Sequence, residues 1–532
     1  MTEQNIHNIP AEKFKLVGAK NSLHDKKFET KARSYMADAF SRFCKNKGSV
    51  VAAVVIIVLV LFAIIVPLFT PYTVAYEDKT FGFAMPKSHL FENTDFWDGC
   101  EAKTANEQTW RYYYAIGEEL KNADGGGKGY NAIKNQKYTI NADGLYAYRL
   151  DSYHSQGCQY DFISMDRYKD IQRYQNETGR QVLYPTIEKE DRPAAIQNSS
   201  DANYYYETKT AGTKTVPVLD ENGNVKPVYW KYTADKVTAD GYPDYYDSLR
   251  VEGKNGVVID GVTYYYYYGN ILPGDEVEVR YNYYEYYIYN HTQVLKDGIE
   301  EPCFLLGATD MGKDILTCLA SGARFSFLFA IAVAVINMII GSIYGSIAGY
   351  YGGATDMIME RITDVLSAVP MMVVITLLKY YLKDSANALV LFLAFIATGW
   401  IGMAGTTRMQ FYRYKNQEYV LAARTLGAKD FRIMFKHIFP NSLGTLVTSC
   451  ALVIPSMIFS ETSLSYLGII NLATGNITSV GTLISIGQPF LTTYPHIVAA
   501  PSIFLSLLML SFNLFGNGLR DAFNPSLRGS DD

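Results

Sequence analysis

The strongest constraint on the fold of this chain is an uncharged apolar run close to its beginning. Residues 50–69 read VVAAVVIIVLVLFAIIVPLF, and about 20 helical residues at about 1.5 Å each are enough to cross a hydrocarbon core of about 30 Å. A cleaved signal peptide is the alternative, but a long polar segment precedes the run and no small-residue cleavage site follows it. We therefore predict a transmembrane helix at residues 49–70, preceded by a cytoplasmic segment, 1–48, whose basic flank obeys the positive-inside rule.

Five further apolar segments predict five more spans. The loop between the fourth and fifth spans, about residues 407–441, is rich in lysine and arginine, which places it in the cytoplasm. Counting spans from a cytoplasmic N-terminus places this loop on the same side. The fold class is therefore an α-helical polytopic membrane protein with six transmembrane helices, both termini in the cytoplasm, a membrane core at 303–528 and a cytoplasmic tail at 529–532. The five further spans are residues 325–350, 366–381, 388–403, 443–460 and 498–515.

The segment between the first two spans, residues 71–302, differs in composition from the rest. It holds 33 of the 44 tyrosines and no apolar run long enough to cross a membrane. Tyrosine- and valine-rich stretches bounded by turn pairs are typical of hairpins. We predict a mainly β extracytoplasmic domain inserted between helices 1 and 2, with strands through 257–268 and 276–289 and helices near 110–120 and 165–174. The turn pairs are Asp143-Gly144, Asn222-Gly223, Asp260-Gly261 and Pro273-Gly274.

Two features of this segment bear on its chemistry. Cys100 and Cys158 can pair as a disulfide outside the cell, which would leave Cys303 unpaired, but the sequence does not fix the connectivity. The tyrosine blocks at 264–268 and 283–289 fit either a binding surface or packing within a sheet. Alternating aromatic side chains favour packing.

Three glycines at four-residue spacing, Gly341, Gly345 and Gly349, lie on one face of the second predicted span. Such a face allows two membrane helices to approach closely. Packing within this chain is the favoured interpretation, and contact with another membrane subunit is the alternative.

Three carboxylates lie near the ends of spans. Glu461, at the outer end of the fifth span, is either a functional carboxylate in the path or gate or an interfacial side chain that reaches water, and the two interpretations weigh equally. Asp310 and Asp314 precede the second span, where a capping role is expected.

The basic loop carries the pattern of a short helix. Asn416 can cap a helix whose first turn contains Glu418. Ala422 and Ala423 give this helix a small surface that can enter a groove, and Gly427 is suited to ending it. The pattern fits a docking helix for a partner, or a plain helix that lies on the membrane surface.

The same loop resembles the EAA loop of ABC-importer permeases, whose pattern is E-A-A-x3-G-x9-I-x-L-P. Leu421, His437 and Phe439 stand here where that pattern has Glu, Ile and Leu. A histidine at that place is familiar from the peptide-permease branch, in which E-Y-V-x-A-A-R-x-L-G, matched by residues 418–427, is also typical. The resemblance implies coupling to an ATPase subunit through Glu418, Ala422, Ala423, Arg424, Gly427, His437 and Pro440.

Five further segments resemble signatures of the same branch and occur in the same order. They are residues 306–314, 322–326, 348–353, 461–468 and 513–528. On these motifs the chain is identified as a member of the C-type membrane subunits of dipeptide and oligopeptide ABC importers, a branch that also includes nickel and glycoside importers. The resemblance covers the first span and residues 304–528 and leaves out the tyrosine-rich segment.

The resemblance implies a type I ABC importer permease fold in the bacterial cytoplasmic membrane, surrounded by lipid. The implied partners are a B-type permease subunit, two cytoplasmic ATPase subunits and an extracytoplasmic substrate-binding protein. ATP and Mg would be used by the ATPase subunits, and this chain would be a transport subunit rather than an enzyme, with no cofactor or metal of its own. In agreement, the sequence has no G-x-x-x-x-G-K-[S/T] loop, no H-E-x-x-H and no G-x-S-x-G. A net charge of −5 gives no reason to expect nucleic acid.

Two alternatives remain open on the sequence. One is the same architecture with nickel or glycosides as the imported solute. The other is a protein of a different class, a membrane-anchored extracellular receptor whose binding module is the tyrosine-rich segment.

Overall fold

The computed structural model describes most of the chain between residues 35 and 523. Several predictions fall on residues outside the described ranges: most of the cytoplasmic segment 1–48, the turn pair Asn222-Gly223, part of the tyrosine block 264–268, and the tail. The described residues are 35–91, 94–121, 132–184, 202–203, 208–211, 214–217, 256–259, 261–265, 269–383, 386–472 and 477–523.

The first described helices follow the sequence pattern. Helix α1, Tyr35–Lys45, leads into α2, Lys47–Phe69, which contains the first predicted span. Asn46 separates them, and its side-chain oxygen accepts a hydrogen bond of 3.3 Å from the backbone N–H of Ser49, as an N-cap does. Outward-facing apolar side chains of α2 are largely exposed in the isolated chain, as expected of a surface that lipid covers.

The described part of the tyrosine-rich segment contains strands and helices in similar amounts, so the prediction of a mainly β domain is supported only in part, and the strand pairs described there are antiparallel. One sheet has the order β1-β3-β2, a second has the order β10-β11-β4 with β5 beside β11, and β6-β7 and β8-β9 form separate hairpins. The elements are β1 Cys100–Ala105, α3 Glu107–Lys121, β2 Ile133–Ile140, β3 Tyr146–Asp151, β4 Cys158–Ser164, α4 Met165–Thr178, β5 Leu183–Tyr184, β6 Thr208–Ala211, β7 Lys214–Pro217, β8 Gly256–Ile259, β9 Val262–Tyr265, β10 Gly269–Leu272, β11 Glu276–Asn282 and α5 Tyr283–Tyr289.

Glycines with positive φ close the hairpins at the predicted turns. Gly144 (φ +73°) lies between β2 and β3, Gly261 (φ +85°) between β8 and β9, and Gly274 (φ +102°) between β10 and β11. Because only glycine adopts such φ values without steric cost, these turns are fixed by the sequence itself. The helices expected near 110–120 and 165–174 are present as α3 and α4.

The predicted strand 276–289 is wrong beyond Asn282. Strand β11 ends there, and the side-chain oxygen of Asn282 accepts a hydrogen bond of 3.0 Å from the N–H of Glu285, which caps helix α5. The tyrosines of α5 are mostly buried, with Tyr284 and Tyr287 at 2 % and 3 % exposure. This block of tyrosines therefore packs in a core, as favoured, but from a helix rather than from a sheet.

The suggested disulfide between Cys100 and Cys158 is not formed in the structure. The two residues begin strands of different sheets: Cys100 pairs in register with Asp151, and Cys158 pairs with Asn282. Both side chains are buried, at 9 % and 2 % exposure. Their positions in separate sheets account for the absence of the bond.

The two ends of the tyrosine-rich segment are joined to each other. Backbone N–H groups of Phe83 and Lys87 donate to the carbonyls of Thr309 and Phe304, and Ala308 donates back to Ala84, all at 2.9 Å. An aromatic core lies beside this pairing and includes Tyr72, Phe81, Tyr153, Tyr284, Tyr287 and Phe304. The segment thus leaves and re-enters the membrane part at neighbouring points.

The C-terminal part is helical. With α2, four further long helices are apolar enough to cross a membrane within the described residues, and a bent helix pair adds a sixth candidate. One of these candidate spans runs from Asp430 to Tyr466 and includes a π-helical turn at Ile433–Ile438. The helices are α6 Ile315–Tyr351, α7 Gly353–Ser367, α8 Met371–Tyr381, α9 Asn387–Tyr414, α10 Glu418–Thr425, α11 Asp430–Arg432, α12 Phe439–Tyr466, α13 Val480–Gly487 and α14 His496–Phe523.

The third predicted span, 366–381, is not one straight helix. Its first residues belong to α7 and the rest to α8, and the two helices meet at an angle of 74°. Pro370 lies at the break and precedes α8. Proline lacks a backbone N–H and disfavours helical conformation in the residue before it, so the chain turns here.

The glycine face of α6 packs against α9 within this chain. A Cβ added at Gly341, Gly345 or Gly349 would come within 2.6, 2.2 and 2.7 Å of a backbone oxygen of α9. No side chain larger than hydrogen fits at that distance. The structure therefore supports the favoured interpretation, packing between helices of the same chain.

Candidate functional site

The loop between α9 and α12 is folded. Helix α10 begins at Glu418, and its N-cap is Gln417, whose side chain makes no capping hydrogen bond. The prediction that Asn416 caps this helix is therefore wrong by one residue, because the helix begins one position later than expected. Gly427 follows the helix with φ +81° and open space around its Cα, as predicted for a residue that ends a helix.

The base of the loop is an apolar cluster. Val420 of α10 and Ile433 of the π-helical turn are completely buried against Phe411 of α9. Tyr350 of α6 and Ile438 at the start of α12 complete the cluster. Burial of these side chains holds α10 against the ends of three long helices.

Polar contacts add to this base. The Tyr350 hydroxyl donates a hydrogen bond of 2.5 Å to Asp430 Oδ1, and Arg424 Nη2 donates to the Tyr350 oxygen at 3.4 Å. The Arg424 guanidinium also lies over the Tyr350 ring, 5.8 Å from its centroid. A single side chain of α6 thus contacts both short helices of the loop.

Three large apolar side chains of the loop are exposed among its charged residues. Leu421, Leu426 and Phe431 are 45 %, 88 % and 73 % exposed. Ala422 is exposed and Ala423 is half-buried, so the small surface predicted from the sequence is present. Exposed apolar side chains on a folded loop are a candidate surface for contact with another protein. We call Leu421, Leu426 and Phe431 the docking patch.

The other loop residues predicted to couple to an ATPase subunit, apart from those described above, lie towards the two ends of the folded loop. Glu418 is exposed at the first position of α10, where a carboxylate interacts favourably with the helix dipole. His437 is half-buried in the π-helical turn, and its carbonyl accepts a hydrogen bond of 2.9 Å from Asn441 Nδ2. Pro440 is exposed in the first turn of α12, where its missing N–H costs nothing.

Glu461 does not belong to this loop. It lies 21 positions after Pro440 along α12, which at about 1.5 Å per residue is about 30 Å away. Its side chain is completely buried and accepts hydrogen bonds from Ser326 Oγ (3.1 Å) and Ser465 Oγ (3.2 Å). The interpretation as an interfacial side chain that reaches water is therefore wrong, because the side chain has no exposed surface and the carboxylate accepts hydrogen bonds from serine hydroxyls.

Asp314 caps α6, as expected. Its carboxylate accepts hydrogen bonds from the N–H and hydroxyl of Thr317 at 2.9 and 2.6 Å. Burial raises the pKa of Asp314, although the hydrogen bonds from Thr317 and Leu316 oppose the shift. The cap orients the beginning of the longest helix in the described chain.

One ion-pair cluster escaped the sequence reasoning. Arg408 of α9 binds Asp356 through two bonds of 2.6 and 2.7 Å and reaches Glu360 at 3.1 Å, and Tyr412 donates to Asp356 at 2.7 Å. Asp356 and Glu360 lie four residues apart on α7, a spacing that places both on one helix face. This spacing indicates that the two carboxylates can share a cationic partner, but it does not identify that partner as Arg408. Through Arg408, α7 is fixed to the C-terminal part of α9.

No metal site is indicated within the described ranges: nowhere in them do three or more His, Cys, Asp or Glu side chains group around a common point.

Comparisons with known proteins match the first span and most of the membrane core. Residues 341–529 match the family described as the binding-protein-dependent transport system inner membrane component, and residues 34–86 match the N-terminal transmembrane domain of oligopeptide transport permease C. The oligopeptide transport system permease protein OppC of Bacillus subtilis (strain 168) is 42 % identical over 222 residues, which are 42 % of this chain and 72 % of that protein. The dipeptide transport system permease protein DppC of the same organism is 40 % identical over 42 % of this chain and 68 % of that protein. A solved structure of the MetNI methionine ABC transporter in an inward-facing conformation is 13 % identical, with a TM-score of 0.32 over 39 % of this chain and 96 % of that one.

The apolar helices and these matches define the class of this protein as a helical, multi-pass membrane transport permease. The chain belongs to the family of binding-protein-dependent transport permeases, in the C-type branch of oligopeptide and dipeptide permeases. The identification made from the loop and the ordered signatures is confirmed. Neither matched family range includes residues 87–340, so most of the tyrosine-rich segment lies outside both.

Proposed function

We propose that this chain forms one half of the translocation path of an ATP-driven importer for dipeptides or oligopeptides. Residues 407–441 couple the path to ATP hydrolysis. The observation that carries the coupling assignment is the docking patch, an exposed apolar surface on a loop whose base is packed against α6, α9 and α12. The permease family and the peptide permeases similar to this chain support the choice of substrate.

The partners follow from that function. A B-type permease provides the other half of the path, two cytoplasmic ATPase subunits bind and hydrolyse ATP with Mg, and an extracytoplasmic binding protein delivers the peptide. This chain makes no covalent change to its substrate. Its N- and C-termini lie in the cytoplasm, and residues 71–302 lie outside the bacterial cell membrane, because the lysine- and arginine-rich loop faces inward.

The contacts of the loop suggest how movement passes into the membrane. A displacement of α10 by an ATPase subunit reaches α6 through Arg424, Tyr350 and the buried cluster. It reaches α9 through Phe411, and from α9 it passes to α7 through the Arg408–Asp356 pair. Packed helices shift as units rather than deform continuously, so the same displacement switches the cavity between outward and inward access.

The tyrosine-rich segment contacts the binding protein or caps the path on the outer side. In support, Phe83 stacks on Tyr494 with ring centroids 4.4 Å apart and contacts Phe490 edge-on at 4.7 Å, so the beginning of the segment lies on the connection between α13 and α14. Deleting residues 75–300 is expected to abolish docking of the binding protein. Uptake and docking that both survive the deletion would refute this role.

Gly427 offers the sharpest test of coupling. Gly427→Asp adds strain and a charge beside the docking patch, and we expect peptide-stimulated ATP hydrolysis and uptake to be lost in reconstituted vesicles. Gly179→Asp is a matched control, because Gly179 also ends a helix with φ +69° and open space but lies in the tyrosine-rich segment. Unchanged transport in Gly427→Asp would show that the coupling assignment is wrong.

Substrate and partners are tested with the wild-type chain. Purification in mild detergent is expected to bring down ATPase and permease subunits. Uptake assays with labelled dipeptide, oligopeptide, nickel and glycoside are expected to show uptake of the peptides alone. Nickel or glycoside uptake without peptide uptake would replace the substrate while leaving the architecture unchanged.

A further inference from the structure

Helix α7 has little packing contact with the rest of the chain. All 15 of its residues are described, and Asp356 is the only one that is buried. Its large apolar side chains are mostly exposed, with Met357, Ile358 and Val365 at 63 %, 63 % and 69 % exposure. A helix that buries so little apolar surface gains little free energy from packing against its neighbours.

Polar groups supply the close contacts between α7 and its neighbours. The Arg408 guanidinium of α9 bonds to Asp356 at 2.6 and 2.7 Å and to Glu360 at 3.1 Å. On the α6 side, the Tyr344 hydroxyl donates to the carbonyl of Met359 at 2.7 Å. We call Asp356, Glu360 and Arg408 the clamp. Ion pairs can break and re-form without the repacking that interdigitated apolar side chains require.

Both ends of α7 are breaks in the helical backbone. Gly352 and Gly353, at its beginning, have φ values of +67° and +56°, a region that glycine enters at no steric cost. Pro370 lies in the second break, after which α8 continues at an angle of 74°. Hinges are short segments that absorb changes in φ and ψ, and α7 has such a segment at each end.

Helix α8, beyond the second break, is firmly packed. Ile375 is completely buried in an apolar cluster with Leu391 and Phe395 of α9. Lys379, near the end of α8, donates to the carbonyl of Ile469 at 3.1 Å. Movement within the bent pair is therefore expected in α7 rather than in α8.

The first hinge lies beside the start of the loop between α9 and α12. Lys415, the residue after α9, donates to the carbonyl of Gly349 at 3.0 Å, and its Nζ lies over the Tyr412 ring, 4.1 Å from the centroid. A Cβ added at Gly352 would come within 3.2 Å of the same Nζ. Tyr412 in turn donates to Asp356 at 2.7 Å. A shift of the loop thus acts on the hinge and on the clamp together.

We propose that α7 is a latch helix. The clamp holds it against α9 in one access state of the permease, the latched state, and rotation about its two hinges frees it in the other, the released state. This inference rests on the proposed function, because the displacement of the loop by an ATPase subunit supplies the driving force. The ion pairs of Arg408 then set the relative free energies of the two states.

The test measures distances between spin labels in the complex of this chain with its co-purified subunits, in lipid nanodiscs. Cys44 and Cys303 are replaced by Ala, and labels are attached at Ile362→Cys on α7 and Met409→Cys on α9, two positions at 48 % and 62 % exposure. We expect the distance between these labels to differ by about 5 Å, the size of a one-turn helix shift, between the nucleotide-free complex and the complex trapped with ATP and vanadate.

A second pair of labels controls for movement of the whole region. Val373→Cys on α8 and Leu393→Cys on α9 replace exposed side chains on the two packed helices. Because Ile375 holds α8 in its apolar cluster, the distance between these labels is expected to be the same in both complexes.

Two carboxylate variants assign the holding role to the clamp. Glu360→Gln removes one ion pair and leaves the buried Asp356 bound to Arg408. We expect it to raise the ratio of released to latched molecules about three-fold in the nucleotide-free complex. Asp364→Asn is the matched control, since Asp364 lies four positions further along α7 but pairs with Arg361 of the same helix at 2.9 Å. It is expected to keep the wild-type ratio, and thermal unfolding checks that both variants are folded.

Two results would overturn the inference. One is an Ile362–Met409 label distance that is the same in both complexes, as expected if a second permease subunit holds α7 in place. The other is an equal ratio of released to latched molecules in Glu360→Gln and Asp364→Asn.

Failure of the proposed function has a different signature. In that case the reconstituted complex shows no ATP-driven peptide uptake, whatever the label distances show. A complex that imports peptide while the Ile362–Met409 distance stays fixed would retain the proposed function and refute the latch.

Discussion

The hydroxyl of Tyr350, in the last turn of α6, donates a hydrogen bond of 2.5 Å to Asp430 of α11. The same hydroxyl accepts a hydrogen bond from Arg424 of α10. One residue of a membrane helix therefore contacts both short helices that carry the docking patch. These contacts connect the loop directly to α6.

Removing this hydroxyl separates coupling from stability. In Tyr350→Phe the ring stays in the buried cluster, so we expect a loss of about 1 kcal/mol in stability. Peptide-stimulated ATP hydrolysis is expected to fall about five-fold, because the polar connection to both helices is lost. Tyr351→Phe, at a neighbouring residue that is 56 % exposed, serves as the control. Equal ATPase rates in both variants would show that the Tyr350 hydroxyl does not transmit the movement.

The close packing of the glycine face of α6 on α9 predicts which of two glycine substitutions destabilises the protein. Gly345→Ala places a methyl group 2.2 Å from the Ala404 carbonyl oxygen, and we expect destabilisation of about 1–3 kcal/mol. Gly402→Ala on α9 meets no atom within 4 Å and is expected to leave stability unchanged or to raise it. Thermal unfolding of both variants in detergent measures the difference. A Gly345→Ala variant as stable as Gly402→Ala would contradict close packing of α6 on α9.

Cysteine labelling tests the orientation. Cys44 is exposed, whereas burial raises the pKa of Cys100 and keeps that thiol protonated and unreactive. In a Cys303→Ala background, a membrane-impermeant maleimide is expected to label Cys44 in inverted vesicles but not in intact cells. Ala142→Cys lies at an exposed turn of the tyrosine-rich segment and is expected to be labelled in intact cells but not in inverted vesicles. Labelling of both sites from the same side would refute the proposed topology.

Asp151 is expected to make the stability of the tyrosine-rich segment depend on pH. Burial pushes the pKa of Asp151 upward, but His154, whose Nδ1 lies 2.9 Å from the carboxylate, and Lys87 outweigh it, so the pKa lies below its ordinary value. A carboxyl with a lower pKa in the folded state stabilises the fold above its unfolded pKa of about 3.9. This stabilisation disappears as the pH falls through the folded pKa.

The Asp151→Asn variant should reveal that contribution. We expect it to be less stable than the wild type at pH 7 and to lose less stability on going from pH 5 to lower pH. Tryptophan fluorescence during thermal unfolding at several pH values measures both effects. Asp143→Asn, at an exposed turn, is the control and should match the wild type. If Asp151→Asn loses as much stability below pH 5 as the wild type does, the pH dependence comes from other groups.

Local patterns in the sequence predicted most of the membrane helices and the hairpin turns. Apolar runs are visible without knowledge of neighbours, and so are glycines that must adopt positive φ, such as Gly144 and Gly427. The end of β11 was also visible in principle. Asn282 followed three residues later by Glu285 is a capping pattern, but the alternating tyrosines around it dominated the interpretation.

Other features depend on residues far apart in sequence. Arg408 binds Asp356 and Glu360 about fifty positions earlier, and nothing local selects those partners from the other carboxylates. The same holds for Glu461, whose hydroxyl neighbour Ser326 comes from α6. The bend between α7 and α8 had a local signal in Pro370, but the apolar run continued past it and suggested a straight span.

The paired ends of the tyrosine-rich segment have a consequence for how such a chain can change over time. Because Phe83 and Lys87 are hydrogen-bonded to Thr309 and Phe304, the segment begins and ends at the same place on the permease. Because the two ends are already held together, a longer or shorter segment between them adds little further closure entropy. We therefore expect that a different domain joined at the same two backbone stretches would leave the positions of α2 and α6 unchanged.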